Sequence, residues 1–314
     1  MLHALHSSSA HAIKRKRIFR PRIAHAVARA GEDPRTIGFM ATSAAAPTVC
    51  RLGVADAPAL RALLDLDPLG NAYLRSELRL GMEGGEWWGA FDGSRMTAAV
   101  LGGPLAWPYI PDPAEAPALA SALSGPAAPR MLVGPRASVL ALHHAFGPPR
   151  YVREMRDPQP LLAVDRINLA SIAPAPVRRA TRADLEGLVV ASAAMHREEM
   201  GTDPLTADAL GWRTRMAALV ARGWSWVWTE GGRIVFKAEL SAWNPDAVQI
   251  QGVYTPPDGR RRGVATRGLA AVCAALLEEV PVCTLYVNHY NTAALRVYAK
   301  LGFEAIGAFT TVFY

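Results

Sequence analysis

Cysteine is scarce in this sequence, with only Cys50, Cys273 and Cys283 among 314 residues. The number is odd and no C-x-x-C pair occurs, so neither a disulfide framework nor a thiolate metal site is indicated, and no metal is expected. A reducing, cytoplasmic setting is the simplest home. Half of the residues are hydrophobic (51%), yet no apolar run approaches the roughly 20 residues that span a bilayer, so no membrane is expected as a partner. The basic N-terminal segment lacks an apolar h-region, which excludes a secretory signal. Net positive charge is also missing from most of the chain. The net charge is +7, but residues 1–46 carry eight Lys and Arg against Glu32 and Asp33, which is +6 and leaves +1 for the remainder. That segment has no hydrophobic periodicity and reads as a disordered tail; a nucleic-acid arm, a targeting peptide or a leader from an early start codon are the other readings. The rest of the chain shows no patterned basic and aromatic surface, so nucleic acid is not the expected partner.

What is present is length enough for two domains of roughly 150 residues, and a sequence that repeats itself. VCRLGVADAPAL (49–60) and VRRATRADLEGL (177–188) align without gaps at Val49/Val177, Arg51/Arg179, Ala55/Ala183, Asp56/Asp184 and Leu60/Leu188. Each reads as a short strand, a polar turn and a helix start. The expected division is a tail over 1–46, a first domain over 47–170, a Pro-rich linker (SIAPAPVRR) and a second domain over 177–314. In the second, a helix opens at Asp184 and another covers 205–223. Strands WSWVWTE, RIVFKAELSAW and AVQIQGVYT follow, separated by Gly231-Gly232 and by Asn244-Pro245-Asp246, turn chemistry suited to an antiparallel meander. A loop and helix, the strand 282–288, the helix 291–303 and a terminal apolar strand complete an α/β (α+β) pattern of helices on a mixed, mostly antiparallel sheet. Trp224, Trp226 and Trp228 alternate on one strand and read as core.

Between strand and helix lies VYTPPDGRRRGVATRGLAAV (253–272). The first N–H groups of a helix have no intrahelical partner and sit at the positive end of its dipole, so this turn is an anion site in waiting. Gly259 and Gly263 permit a tight turn and close approach, Val264 and Ala265 form a small helix entrance, and Arg260, Arg261 and Arg262 add donors for phosphate oxygens. The spacing is neither a Walker A loop, which needs Lys after the glycine, nor G-x-G-x-x-G. It is R-x-x-G-x-A, Arg260 to Ala265.

That motif resembles the pyrophosphate loop of the GNAT superfamily of acetyl-coenzyme A dependent N-acetyltransferases, and Tyr254 and Pro257 fit the turn before it. The following N-x-x-A-x-x-x-Y-x-x-x-G-F block of the family is matched by Asn291, Ala294, Tyr298, Gly302 and Phe303. The resemblance covers 177–314 well and the first half only through the 49–60 echo, so it implies two tandem GNAT-like domains, the first divergent. For the first half, RMLVGPRASVLALHHAF (130–146) is expected at the phosphate-loop position; it lacks the motif, and Pro135 removes a donor, so this copy is expected to hold no coenzyme A.

The resemblance implies acetyl-CoA as acetyl donor, its pantetheine lying beside a bulged strand at Gly252, with backbone amides near Val253 polarising the thioester carbonyl. A plain bulge is the alternative at Gly252. It implies Tyr298 as general acid toward the leaving thiolate and Asn291 as a coenzyme contact, a helix N-cap, or both. For the proton of the attacking primary amine, Glu239 in an apolar strand is the candidate base; an ion pair with Lys237 is the alternative reading, and His289 the second candidate. Glu198 and Glu199, with His196 and Asp203, are candidate acceptor contacts, or a solvated turn. The acceptor itself is open between a small molecule and a peptide or protein amine. A non-catalytic acyl-CoA sensor or scaffold is the rival to the enzyme.

Overall fold

A computed structural model describes residues 47–314, apart from 126, 127, 149 and 174; the basic tail, and every expectation placed on it, lies outside the described residues. The described residues form one compact unit. The first half runs β1 (Thr48–Arg51), a 3-10 turn, α1 (Ala57–Leu64), α2 (Ala72–Arg79), β2 (Glu86–Asp92), β3 (Arg95–Gly102), β4 (Leu105–Tyr109), α3 (Ala116–Ala122), β5 (Met131–Pro135), α4 (Arg136–Ala145) and β6 (Glu154–Asp165). The second half repeats this order as β7 (Arg178–Arg179), α5 (Leu185–Met200), α6 (Pro204–Ala221), β8 (Ser225–Glu230), β9 (Arg233–Asn244), β10 (Ala247–Tyr254), α7 (Val264–Leu276), β11 (Val282–Tyr286), α8 (Thr292–Lys300) and β12 (Glu304–Phe313).

The repeat seen in the sequence is structural. Asp56 accepts the Gly53 N–H (2.8 Å) ahead of α1, and Asp184 accepts the Thr181 N–H (2.8 Å) ahead of α5, the same contact 184 − 56 = 128 residues later. Each carboxylate satisfies a donor at a helix entrance that would otherwise be orphaned.

Twelve strands, among the described residues, form one sheet in the order β1-β2-β3-β4-β5-β12-β6-β11-β10-β9-β8-β7. The order reads alike from both ends until the middle, where the halves trade strands. β6 of the first half pairs with β11 of the second, and β12 of the second pairs with β5 of the first. The two exchanged strands then pair with each other, antiparallel. Their apolar residues follow the exchange: Leu162 and Val164 of β6 lie in the core of the second half, while Phe309 and Val312 of β12 lie in the cores of the first. At about 1.5–3 kcal/mol for each large apolar side chain buried, each half depends on the other's last strand. A second seam is polar. The Trp243 N–H donates to Ser76 Oγ (3.0 Å), and Asn244 Nδ2 donates to the Ala72 carbonyl (3.2 Å), docking α2 on β9.

Within the sheet only β4–β5 and β10–β11 are parallel neighbours. This corrects the expected place of the first half's phosphate loop. β5–α4 occupies the sheet position of β11–α8, so the counterpart of β10–α7 is β4–α3, one unit earlier than 130–146. The connection there, 110–115, carries Asp112 and Glu115 where the second half carries three arginines.

Candidate functional site

Two departures from regular pairing shape the site. β10 and β11 are joined only at Val248/Cys283 and Gln249/Thr284 and then diverge, although β10 continues to Tyr254 and β11 to Tyr286. On its other side β10 bulges: Gln251 faces Glu239 and Tyr254 faces Lys237, three steps against two. Gly252 sits in the bulge at φ +60°, where a Cβ would lie 2.9 Å from Glu239 Oε2 and 3.1 Å from Lys237 Nζ. Glycine is required there for both the backbone angle and the space.

A cavity of about 610 Å³ opens at this divergence and extends between the halves. Gly252, Val253, Asn291 and Tyr298 line one end. Glu239 and Glu199 lie further in, with Arg156 and Gln159 of β6 and Thr311 of β12. These last three come from the strand exchange, and motif reading missed them because neither β6 nor β12 carries a motif. They are connected: Thr311 Oγ1 donates to Gln159 Oε1 (2.6 Å), and Gln159 Nε2 donates to Asn288 Oδ1 (2.8 Å) at the end of β11. The only trace of β6 in the sequence is the apolar run 160–164 ahead of the linker. Trp212 and Tyr286 on the cavity wall, and Ser192, were also missed.

Glu239 is bound on one side. Its Oε1 accepts from Lys237 Nζ (2.6 Å) and from Ser192 Oγ (3.0 Å), both buried, while Oε2 is turned toward Gly252. The ion pair with Lys237 is therefore formed, within one strand, and it offsets the cost of a carboxylate in the core. Tyr298 is 7% exposed and packs against Phe303. Burial, then the nearby Glu199 charge, raise its phenol well above the usual range, so it keeps its proton. Glu199 lines the cavity, where solvent reaches it, yet enough protein surrounds it that burial raises its carboxyl; Arg156 and Lys237 oppose the rise. Glu198, its neighbour, points elsewhere. It accepts from Arg260 (2.7 and 2.9 Å) and from Tyr254 Oη (3.0 Å), so it fastens the loop rather than lining the cavity. Arg260 is thereby turned back on its own loop, with Nε on the Thr255 carbonyl (3.0 Å).

Arg261 and Arg262 remain exposed, and Arg261 adopts φ +60°, a strained angle for a side-chain-bearing residue. Gly263 is the N-cap of α7 at φ +76°, with nothing within 4 Å of where a Cβ would be. Its approach is open, and the unpaired N–H groups of Val264 and Ala265 follow it. Asn291 is the N-cap of α8, accepting the Ala294 N–H (3.1 Å). Asp203 caps α6 and pairs with Arg197 (2.7 Å), and His289 Nδ1 lies 3.1 Å from the Pro158 carbonyl oxygen. Trp226 and Trp228 are core, whereas Trp224, just before β8, edges the cavity.

At the matching place the first half adds to the wall of this same cavity, which Leu105, Trp107, Met131 and Val133 line. β4 and β5 also part after two pairs, but Trp107 fills the gap. It stacks on Tyr73 (centroids 4.2 Å), meets Phe309 edge-on (5.8 Å), and would be 2.8 Å from a Cβ on Gly134.

A bulged strand diverging from a parallel neighbour, followed by a glycine-capped helix, is the arrangement that the resemblance to the GNAT family implies. Residues 181–303 match the model of the acetyltransferase (GNAT) family, and residues 85–188 match a domain of unknown function (DUF4081). The match to the GNAT family thus lies in the second half of the chain. Solved structures of this fold span both halves. A GNAT-family acetyltransferase from Colwellia psychrerythraea is 12% identical, with TM-score 0.57 over 85% of this chain and 99% of its own. A GCN5-related N-acetyltransferase from Sphaerobacter thermophilus is 18% identical, with TM-score 0.56 over 85% and 94%. A tandem GNAT protein from the clavulanic acid biosynthesis pathway is 15% identical, with TM-score 0.52 over 84% and 98%. At these identities the likeness is one of fold. No curated protein matches the sequence.

Proposed function

We propose that the protein transfers the acetyl group of acetyl-CoA to a primary amine by direct attack, in the second of two GNAT-like domains divided near residues 170–177. The observation that carries this reading is the single cavity joining the Gly252 bulge and Tyr298 to Glu239 and Glu199. A site that only sensed an acyl-CoA would need the first pair and not the second. The residues also fit the donor. Gly263 leaves room for a pyrophosphate against the N-terminus of α7, whose free N–H groups and dipole favour anions. Arg261 and Arg262 supply charge beside it. The divergence of β10 from β11 leaves main-chain groups free to pair with an extended pantetheine.

In this mechanism the amine nitrogen attacks the thioester carbonyl carbon, and main-chain N–H groups near Val253 stabilise the oxyanion. Glu239 takes the proton released from the amine, directly or through water, on the oxygen not held by Lys237 and Ser192. Collapse of the tetrahedral intermediate breaks the carbon–sulfur bond. Tyr298 donates its hydrogen to the departing sulfur. Because burial holds that phenol neutral, it acts first as a hydrogen-bond donor to the developing thiolate, whose conjugate acid has a pKa of about 8.5, and full transfer is uphill.

The test follows thiol release from acetyl-CoA across a panel of amines. Tyr298→Phe keeps the ring, so coenzyme affinity should hold while turnover falls by about 10² to 10⁴ with KM little altered. A thioester with a more acidic thiol should shrink the defect. Equal losses with both thioesters would remove the acid role, and wild-type protein that binds acetyl-CoA but acetylates no amine would favour a sensor.

A further inference from the structure

Charge is balanced inside the cavity. Three carboxylates, Glu77, Glu199 and Glu239, line it together with three guanidinium groups, Arg156, Arg215 and Arg222. Glu239 is already engaged with Lys237 and Ser192, and Arg156 with Glu154 (2.6 Å). Among the described residues the carboxylates of Glu77 and Glu199 accept no hydrogen bond from protein, and the guanidinium groups of Arg215 and Arg222 donate none. The cavity thus presents uncommitted charge of both signs.

Their places follow from the elements that carry them. Glu199 lies in the last turn of α5, where Arg156 of β6 donates to its carbonyl oxygen (3.1 Å), and its charge helps push the Tyr298 and Tyr286 phenols up. Arg156 and Arg215 act on Tyr286 in the opposite sense, Tyr286 being raised to about 12 chiefly by burial. Arg215 and Glu77 both act on Tyr73, and Arg222 acts on Glu77. Arg215 on α6 and Arg222, its C-cap, lie seven residues apart, two turns along the same face. They flank Trp212 (5.9 Å from guanidinium carbon to ring) and Trp224 (5.3 Å), which supply apolar wall between the charges.

A polyamine or another polycation would meet three guanidinium groups, and a polyanion would meet three carboxylates. Each mismatch is repulsive in a site partly shielded from water. A ligand with one charge of each sign meets neither penalty. We infer that the acceptor is an amine that also carries a carboxylate, an amino acid or a molecule ending as one, its ammonium at Glu199 and its carboxylate at Arg215. This deepens the acyl-transfer reading above and rests on it.

The experiment uses acceptors matched except for the carboxylate: phenylalanine against phenethylamine, and lysine against cadaverine, with acetyl-CoA and the full-length protein. A charged hydrogen-bonded contact is worth about tenfold to a hundredfold, so kcat/KM for each amino acid should exceed that of its decarboxylated partner by that factor. Arg215 is solvated, so Arg215→Met should fold. It should raise KM for the amino acid toward that of the plain amine and leave the plain amine unchanged. Plain amines used as well as or better than amino acids, or an Arg215→Met loss shared equally by both, would overturn the inference while leaving acyl transfer standing. If the wild type acetylates nothing, the proposed activity fails instead. Binding of the same pairs, followed by tryptophan fluorescence, then decides the inference: tighter binding of phenylalanine than phenethylamine, lost in Arg215→Met, sustains it, and equal binding overturns it.

Discussion

Gly252→Ala puts one methyl group at the junction of fold and chemistry. Its backbone, at φ +60°, lies in the left-handed region, where a non-glycine residue costs about 1–2 kcal/mol. The new Cβ would lie 2.9 Å from Glu239 Oε2 and 3.1 Å from Lys237 Nζ. Neither atom ends a free side chain. Lys237 is fully buried and Glu239 is 4% exposed, and each holds the other in place, so relief must come from the ion pair or from the bulge, at about 1–3 kcal/mol for overpacking. Together the terms predict a loss of about 3 kcal/mol, or roughly 6–12 °C in Tm for a unit this large. Gly232→Ala is the control. Gly232 also has positive φ (+78°), but a Cβ there would meet nothing within 4 Å, so this variant should lose only the conformational part. Thermal unfolding of the two separates strain from contact, and calorimetry with acetyl-CoA reports the second effect: at least tenfold weaker binding for Gly252→Ala and none for Gly232→Ala. Equal Tm losses in both variants with acetyl-CoA affinity unchanged would refute the account of the bulge.

Gly263→Glu should remain folded, because a side chain there meets open space, yet lose measurable acetyl-CoA binding, because it sets a carboxylate at the helix entrance; unchanged affinity would remove the phosphate site from that loop. Calorimetric titration of wild type should give one acetyl-CoA per chain, since Trp107 fills the first half's opening, and a stoichiometry of two would show that tryptophan moves aside. Asp184→Asn keeps an oxygen for the Thr181 N–H but loses the charge opposite Arg178 (2.7 and 2.8 Å), and should cost about 1 kcal/mol at neutral pH. Hydrogen bonding from Arg178 holds the Asp184 carboxyl below its unfolded value of 3.8, so its contribution is present above that value and disappears as pH falls. Denaturant curves at pH 7 and pH 3 should therefore show the variant's deficit shrinking in acid, and a constant deficit would disprove the charge contribution.

Much of the second half was legible because its signals are local. Strand alternation, the Gly231-Gly232 and Asn244-Asp246 turns, and the Gly263 and Asn291 helix starts place β8 to β12 within a few residues, and Asn291 is the N-cap that the sequence implies. In the first half only the 49–60 opening and the strand–glycine–helix run at 130–146 were legible, and their correspondence was not. A strand–glycine–helix run describes β5–α4 as well as a phosphate loop, and only sheet neighbours tell them apart. Long-range placement was the other limit. Nothing near Arg156 and Gln159 in sequence says that β6 ends beside β11, about 120 residues on, and so the cavity's first-half contributors were invisible. Glu198 and Glu199 are adjacent and chemically alike, and helix geometry turns one to the loop and the other to the cavity.

The traded strands also set the order in which this protein can be assembled as it is synthesised. β5 is made early, but its neighbour β12 arrives much later: Phe309 lies opposite Pro135, 309 − 135 = 174 residues along the chain. Until then the first half waits with a bare strand edge and without Phe309 and Val312 in its cores, while β6 waits for β11. Contacts so distant in sequence close slowly, and open edges invite pairing with the wrong chain. A nascent chain stopped at residue 170 would hold β6 and neither of its sheet neighbours, so the stretch of translation between β6 and β12 is the interval in which this protein has most need of a chaperone.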